Sequence, residues 1–550
     1  MRNGGQLLVE SLVGLGATKA FGVPGESYLA VLDALHDTAG ALDYVLCRQE
    51  GGAAFMAAAW GKLTGQPGIC MVTRGPGATN ASIGVHTAMQ DSAPMLLFVG
   101  QVATEMRGRE AFQEVDYRAV FGTMAKWAVE IDQVDRIPEI LSRAWSVATS
   151  GRPGPVVIAL PEDMLADTSD MAPLSGPVPL AQPAPDADAM DRLAELLTGA
   201  ARPVILMGGS GWSAEGRAGL QAFAEAARIP VVAAFRFQDR FDNHSDVYCG
   251  EAGVGMPPHV KAVLKGADLI LAVNVRFGEM TTDGYTLFDL PEMQQVLVHV
   301  HADAAEIGKI YRSALGIVAG VNAFAAALEP CEGLWADWCA EGRAAYLAGL
   351  ELPDQPSPVD MGKVTAHLRA VLPEDVVLTN GAGNFSVWPN KFFPFGPKAR
   401  LLAPQSGAMG YGLPAAIAAK VADPGRCVVC FAGDGDFQMT SQELATAVQA
   451  GARPIVLILN NGVYGTIRAH QERQFPGRVS GTDMVSPDFV MLAQAYGFHA
   501  ERVTTTEAFP EAFARAMASE TGAVLDLEVA AEAITPRQTL SQMRAAALRG

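Results

Sequence analysis

Short apolar runs recur along this chain, separated by alanine-rich stretches of helical length, and no other feature restricts the possible folds as much. Residues 68–73, 95–100, 156–160, 204–208, 231–234, 269–274, 296–301, 376–379, 427–432 and 454–460 are apolar or β-branched, several with little polar alternation. A strand without a polar face has to be covered on both sides, which is the situation of a parallel strand between two layers of helix. The alternation therefore predicts an α/β protein. A chain of 550 residues makes three or four domains at about 150 residues each. The stretch 166–190, rich in Pro, Ser, Asp and Ala, and a second Pro-containing stretch at 350–359 read as linkers. They divide the chain into 1–165, 190–335 and 358–550.

Composition narrows the function. The formal net charge of −19 argues against nucleic acid and anionic membrane as partners. No run of 18 or more uninterrupted apolar residues is present, so a membrane span is not expected. Residues 1–16 lack a basic segment followed by an apolar core and read as an amphipathic helix rather than a signal peptide. Seven scattered cysteines suit a reducing cytoplasm. Cys427 and Cys430 form a C-x-x-C, but within an apolar strand they would face opposite sides, which is wrong for a shared metal.

The strongest motif starts where the run 427–432 ends, in Gly433-Asp434-Gly435-Asp436. A helix-like stretch, 440–450, follows, and then the buried run 454–459, ending in Asn460-Asn461-Gly462. Parallel strands gather ligand sites at their carboxyl ends. Asp434 offers a hard anionic oxygen, Asn461 a neutral carbonyl oxygen and Val463 a backbone carbonyl. Together these make part of an octahedron for Mg²⁺, completed by a diphosphate and water. Gly433 and Gly435 allow close backbone approach to phosphate. The plain alternative is a surface turn with a capping Asp, followed by an ordinary Asn-Gly turn. A bare Gly-Asp-Gly is weak; the pair of motifs, each ending a buried strand, is far more specific.

This spacing resembles the signature of thiamine diphosphate enzymes, and the resemblance runs over nearly the whole chain. It is closest to the large catalytic subunit of acetolactate synthase and its relatives. Phe21-Gly22-Val23-Pro24-Gly25 is similar to that family's opening loop, and Arg48-Gln49-Glu50 to its cofactor-activating segment. Thr73-Arg74-Gly75-Pro76-Gly77-Ala78-Thr79-Asn80 is similar to the glycine-rich turn that follows, and Phe112-Gln113-Glu114 and Lys126 also match. Gly407-Ala408-Met409-Gly410-Tyr411-Gly412-Leu413-Pro414 resembles the loop beneath the thiazolium ring.

The resemblance implies three doubly wound parallel-sheet domains: pyrimidine-binding, central Rossmann-like and diphosphate-binding. It implies a homo-oligomer, dimer or tetramer, whose active sites are shared between two subunits. Glu50 would hold the aminopyrimidine in its reactive tautomer, which asks for a buried, apolar carboxyl site. Its plain reading is an exposed carboxylate at a helix start. Met409 would bend the cofactor, Gln113 would reach the reacting carbon of the neighbouring subunit, and Asn384 would contact the diphosphate. Pro24, Gly407, Gly433, Gly435, Asp436 and Asn461 complete the implied cofactor contacts, with Asp434, Asn461 and Val463 on the metal. The activity implied is decarboxylation of a small 2-oxo acid, followed by protonation to an aldehyde or attack on a second carbonyl.

Several residues depart from the acetolactate synthase pattern. Met280 stands where those enzymes carry a second arginine for the acceptor's carboxylate, and Met cannot make that bidentate contact. His470 replaces a tryptophan of the acceptor pocket. It is either a surface histidine beside Arg468, Glu472 and Arg473 or a pocket residue that donates a proton to an intermediate or binds the acceptor. Phe385 replaces a histidine near the diphosphate, and 250–258 loses the usual flavin-lining sequence, which makes bound FAD doubtful. The Gly-Gly-Ser-Gly of 208–211 lacks a full dinucleotide fingerprint and reads as a structural turn. Alternatives are a non-ligating 2-oxo acid decarboxylase, a C–C lyase of the same family and, more distantly, a non-catalytic homologue. Intact Glu50, Asp434 and Asn461 argue against the last.

Overall fold

Three six-stranded sheets carry the chain, and their strands run parallel throughout. The computed structural model describes residues 1–549. Across the first sheet lie Asp43–Leu46, Lys19–Gly22, Gly68–Val72, Met95–Gln101, Pro155–Pro161 and Trp127–Glu130. The second has Tyr248–Ala252, Val231–Ala234, Pro203–Met207, Leu269–Val273, Val296–His301 and Leu315–Val318. The third has Arg400–Leu402, Val377–Asn380, Val428–Gly433, Ile455–Asn460, Ala523–Glu528 and His499–Val503. Every run expected to be a strand is one. The central strands are buried at every position, as expected for strands covered by helices on both faces.

Two expectations need correction. The helix expected at 440–450 is a 3₁₀ turn, Ser441–Glu443, leading into a short helix, Leu444–Gln449, and a separate helical turn, Asp434–Gln438, precedes it. At the N-terminus the helix is Gly4–Gly14, and Arg2–Asn3 pairs antiparallel with Thr168–Ser169, inside the stretch expected to be linker. Cys430 packs in the core shared with helix Gly412–Ala422 while Cys427 contacts the opposite cluster, as strand alternation requires. No helix among the described residues is long and apolar enough to cross a membrane.

The cores are not divided as the sheets are. The middle sheet is covered by two clusters drawn entirely from residues 189–350, so the helix Ala336–Gly349 belongs to this domain beyond the expected boundary at 335. The first and third sheets instead share one cluster, which runs from Phe21 and Ala54 to Tyr411 and Val524. At its centre the alanine-rich helix Glu50–Thr64 lies on the equally alanine-rich Gly412–Ala422. Small side chains let the helices approach closely, and Phe55 meets Tyr411 edge-on with ring centroids 5.5 Å apart. Gly65, with φ of 75°, ends the first helix in the left-handed conformation that favours glycine.

Candidate active site

The carboxyl ends of Val428–Gly433 and Ile455–Asn460 sit side by side, so the two loops that follow them face one another. Asp434 is the first residue after the first strand, and its side chain is 3% exposed. Its Oδ1 accepts the Gly435 amide at 2.9 Å and its Oδ2 the Gly462 amide at 2.7 Å. Among the described residues no cationic side chain pairs with it, and burial pushes its carboxyl above the ordinary range. Asn461 turns its Oδ1 to the Val463 amide at 3.2 Å, and Gly462 takes a φ of 67° to make that bend. Among the described residues no cluster of three or more His, Cys, Asp and Glu could hold a metal. The only donor set here is thus one carboxylate with neutral carbonyls. A buried carboxylate without a counter-charge suits a hard cation held largely by oxygen atoms from elsewhere, as Mg²⁺ on a diphosphate is. Thiamine diphosphate with Mg²⁺ therefore fits these residues.

Asp436 points elsewhere. Its Oδ1 accepts the Gly410 amide at 2.9 Å and the Ala382 amide at 3.1 Å, and burial raises its pKa to about 7. It joins the Gly407–Gly410 turn to the loop after Val377–Asn380 instead of presenting a free carboxylate to a ligand. The Gly407–Gly410 turn depends on its glycines, with φ of 68° at Gly407 and 80° at Gly410. A side chain at 410 would also strike Met439 Cβ at 2.7 Å. Half-buried Met409 lies between them. Asn384 bridges two segments, donating to the Ile534 carbonyl at 2.8 Å and accepting from Thr466 Oγ at 2.6 Å. Phe385 packs over Gly433 and Gly383.

Glu50 opens its helix in the first domain and is only half-buried in the single chain. Asn80 donates to Oε2 at 2.9 Å, which leaves Oε1 over Gly77. The opening loop is tied to the glycine-rich turn by a Ser27–Thr73 hydroxyl contact of 3.0 Å and by Gly25, where a Cβ would lie 2.4 Å from that of Thr73. Pro24 is exposed beside it. Gln113 has a left-handed φ of 66°, and its carbonyl accepts the Gly75 amide at 3.0 Å. Glu114 fixes this loop through the Gly108 and Ala111 amides, and Phe112 is left 75% exposed. Lys126 is turned away from Glu50, onto the carbonyls of Val147 and Ser150, and burial brings it down to about 8.

His470 is exposed on helix Gly465–Gln474, on the same side as exposed Ile467. Its neighbours are engaged elsewhere, Arg468 with Asp483 and Glu472 with Arg544 of the C-terminal helix Leu540–Ala547. Arg276 gives its guanidinium to the Gln90 carbonyl at 2.6 Å, and Met280 lies in a turn close by.

The carboxyl ends of the middle sheet are closed. Arg152 pairs with Glu306, Asn274 bonds the Ser210 carbonyl at 2.8 Å, and Glu251 of the stretch 250–258 is buried against Lys391. The cavity remaining between Ser210, Asn274, Arg276 and Gln405 is about 20 Å³, room for a water or so rather than the 300 Å³ or more of a typical ligand site.

Sequence reasoning missed Glu443 and the role of Asn80. Asn80 is the last residue of the glycine-rich motif Thr73–Asn80. Glu443 carried no signal, because its partner Arg48 is 395 positions away.

The chain belongs to the thiamine pyrophosphate enzyme family: its N-terminal binding domain model matches residues 2–120, its central domain 190–328 and its C-terminal binding domain 381–527. Within that family the chain is 31% identical over 506 residues to the large subunit of acetolactate synthase isozyme 2 of Escherichia coli, covering 91% of both. It is 32% identical to a probable acetolactate synthase large subunit of Methanocaldococcus jannaschii, covering 96% of this chain and 92% of that one. Against the mitochondrial catalytic subunit from Saccharomyces cerevisiae the identity is 30%, over 96% and 80%.

Proposed function

We propose that this protein cleaves the carbon–carbon bond of a small 2-oxo acid next to its carbonyl and passes the fragment to a second carbonyl, as acetolactate synthases do. The observation that carries the reading is the buried, uncompensated Asp434 facing Asn461 across adjacent strand ends. When bound, thiamine diphosphate supplies the electron sink for that cleavage. Asp434, Asn461 and the Val463 carbonyl would hold Mg²⁺, and the amides around Gly433 and Gly435 the diphosphate. Glu50 would hold a proton at Oε1 against the pyrimidine, its other oxygen already held by Asn80. Met409, Gln113 and His470 would shape the space around the reacting carbon.

The polar contacts of Glu50 stay in the first domain and those of Asp434 in the third. Exposed Ile83, Phe112, Met439 and Ile467 lie near one or the other half. A second copy that buries these side chains and completes Glu50's surroundings is the simplest arrangement, and a homodimer is the proposed working unit. The closed middle sheet supports a flavin-free enzyme.

Arg276, committed to Gln90, and Met280 in place of an arginine favour a second reading, a decarboxylase or lyase that does not ligate a carboxylate acceptor. The test is incubation with thiamine diphosphate, Mg²⁺ and pyruvate, following CO₂ and the organic product by NMR. Acetolactate supports the ligase, acetaldehyde the decarboxylase. No turnover with pyruvate, other 2-oxo acids or diketones defeats both.

A further inference from the structure

Glu443 is fully buried, yet nothing in the chemistry proposed above uses it. It lies in the third domain, at the end of the 3₁₀ turn that follows the Asp434 loop. Its carboxylate reaches across to the first domain, where both oxygens accept the Arg48 amide, at 3.3 and 3.2 Å. The Gln49 amide also faces it, and Thr446 Oγ donates to it at 2.6 Å. It fills the space over the first turn of the Glu50 helix, where a Cβ on Gly52 would come within 2.6 Å of its Oε1 and 2.7 Å of its Cδ. Arg48 adds a second tie between the two domains, from its guanidinium to Gln449 at 2.7 Å. Among the described residues, Glu50's own side chain has one polar partner, Asn80.

We propose that Glu443 is a positioning residue for Glu50: it grips the backbone just before Glu50 and so sets where that carboxyl stands relative to the bound pyrimidine. This role presupposes the proposed place of Glu50 against the pyrimidine. Within the turn 48–50 the local hold is the Gln49 side chain, whose Oε1 accepts the Gly52 amide at 3.1 Å, and Glu443 adds the hold from the third domain. Gly51 and Gly52 follow Glu50, and exposed Arg48 precedes it. A carboxylate accepting main-chain amides in a dry site is a strong and directional hold. A shift of about 1 Å at a group that holds a proton can lower the rate about a hundredfold. Glycine at 52 is required because a side chain there would occupy the carboxylate's place.

The test is exchange of the thiamine C2 hydrogen for deuterium in full-length enzyme loaded with thiamine diphosphate and Mg²⁺, read by NMR after acid quench. Glu443→Gln, Glu443→Asp and Gly52→Ala are compared with wild type and with Glu50→Gln, together with cofactor half-saturation and thermal midpoint. At least one of the first three variants that retains the wild-type midpoint should exchange C2 about tenfold or more slowly, with cofactor half-saturation unchanged. Glu443→Asp should recover part of the loss seen in Glu443→Gln, since it keeps the charge. Wild-type exchange in all three variants, with Glu50→Gln slow, overturns the role of Glu443. A loss of exchange that only follows lost cofactor binding or a lowered midpoint does so as well, since that marks a merely structural carboxylate. Wild-type exchange in Glu50→Gln overturns the reading of Glu50 and this inference with it.

Discussion

The middle and last sheets are built alike, each six parallel strands between helices, but their carboxyl ends are used in opposite ways. In the last sheet the strand-end loops are rich in glycine and hold a buried carboxylate that, among the described residues, no cationic side chain neutralises. In the middle sheet the equivalent loops spend their polar groups on one another and on the neighbouring domains: Arg152 on Glu306, Asn274 on Ser210, Arg276 on Gln90. The same topological position is the proposed ligand site in one and a joint in the other. Fold alone therefore does not say which end binds; the state of the polar groups does.

The contrast can be broken most sharply at Asp434. Asp434→Ala should lower metal-dependent cofactor affinity by about a hundredfold or more, measured by calorimetric titration of thiamine diphosphate with Mg²⁺. Tight binding by that variant would mean that the last sheet is not the metal end. Glu50→Gln should leave cofactor affinity intact and reduce turnover by roughly 10²–10⁴-fold, which a steady-state assay separates from the first result.

At the middle sheet the expected effects fall on stability. Glu306→Ala leaves Arg152 buried without its partner and should destabilise by about 3 kcal/mol, seen in the denaturation midpoint, with KM unchanged. The purified protein should show no flavin absorbance near 450 nm, and added FAD should not raise activity.

The C-terminal clamp gives a smaller effect. Arg544 holds Glu472 down to about 2, against an ordinary 4.5. A depressed carboxyl contributes its full stability above pH 4.5 and loses it as pH falls toward 2. Arg544→Ala should lower the denaturation midpoint at neutral pH, and proteolysis of the segment after residue 529 should quicken. His470→Ala, on an exposed face, should change only product ratio or substrate range; an unchanged product profile retires it as a pocket residue.

How much of this could be read in the sequence divides along the same physical line. Each apolar run identified in the sequence is a strand, and none is at a sheet edge. All six edge strands, Trp127–Glu130 and Leu315–Val318 among them, are short and have mixed burial or no long apolar run, so they carry no periodic signal. The Asp434–Asn461 pairing was legible because two strand ends and their spacing are local facts. The half-burial of Glu50 and the turning of Asp436 onto Gly410 and Ala382 were not, since they depend on what the third dimension brings near. Glu443 lay furthest out of reach: a glutamate entering a short helix looks like any solvated one until the first domain is set against it.

The single core common to the first and last sheets has a consequence for how this protein can be taken apart and rebuilt. A chain severed near residue 358 would give two pieces, each with a bare alanine-lined face, and neither would be self-sufficient. The middle segment, whose clusters are its own, is the natural cassette. Swapping it between relatives at 166–190 and 350–359 should give hybrids that fold, whereas a crossover inside either outer segment would have to find its matching half at the other end of the gene.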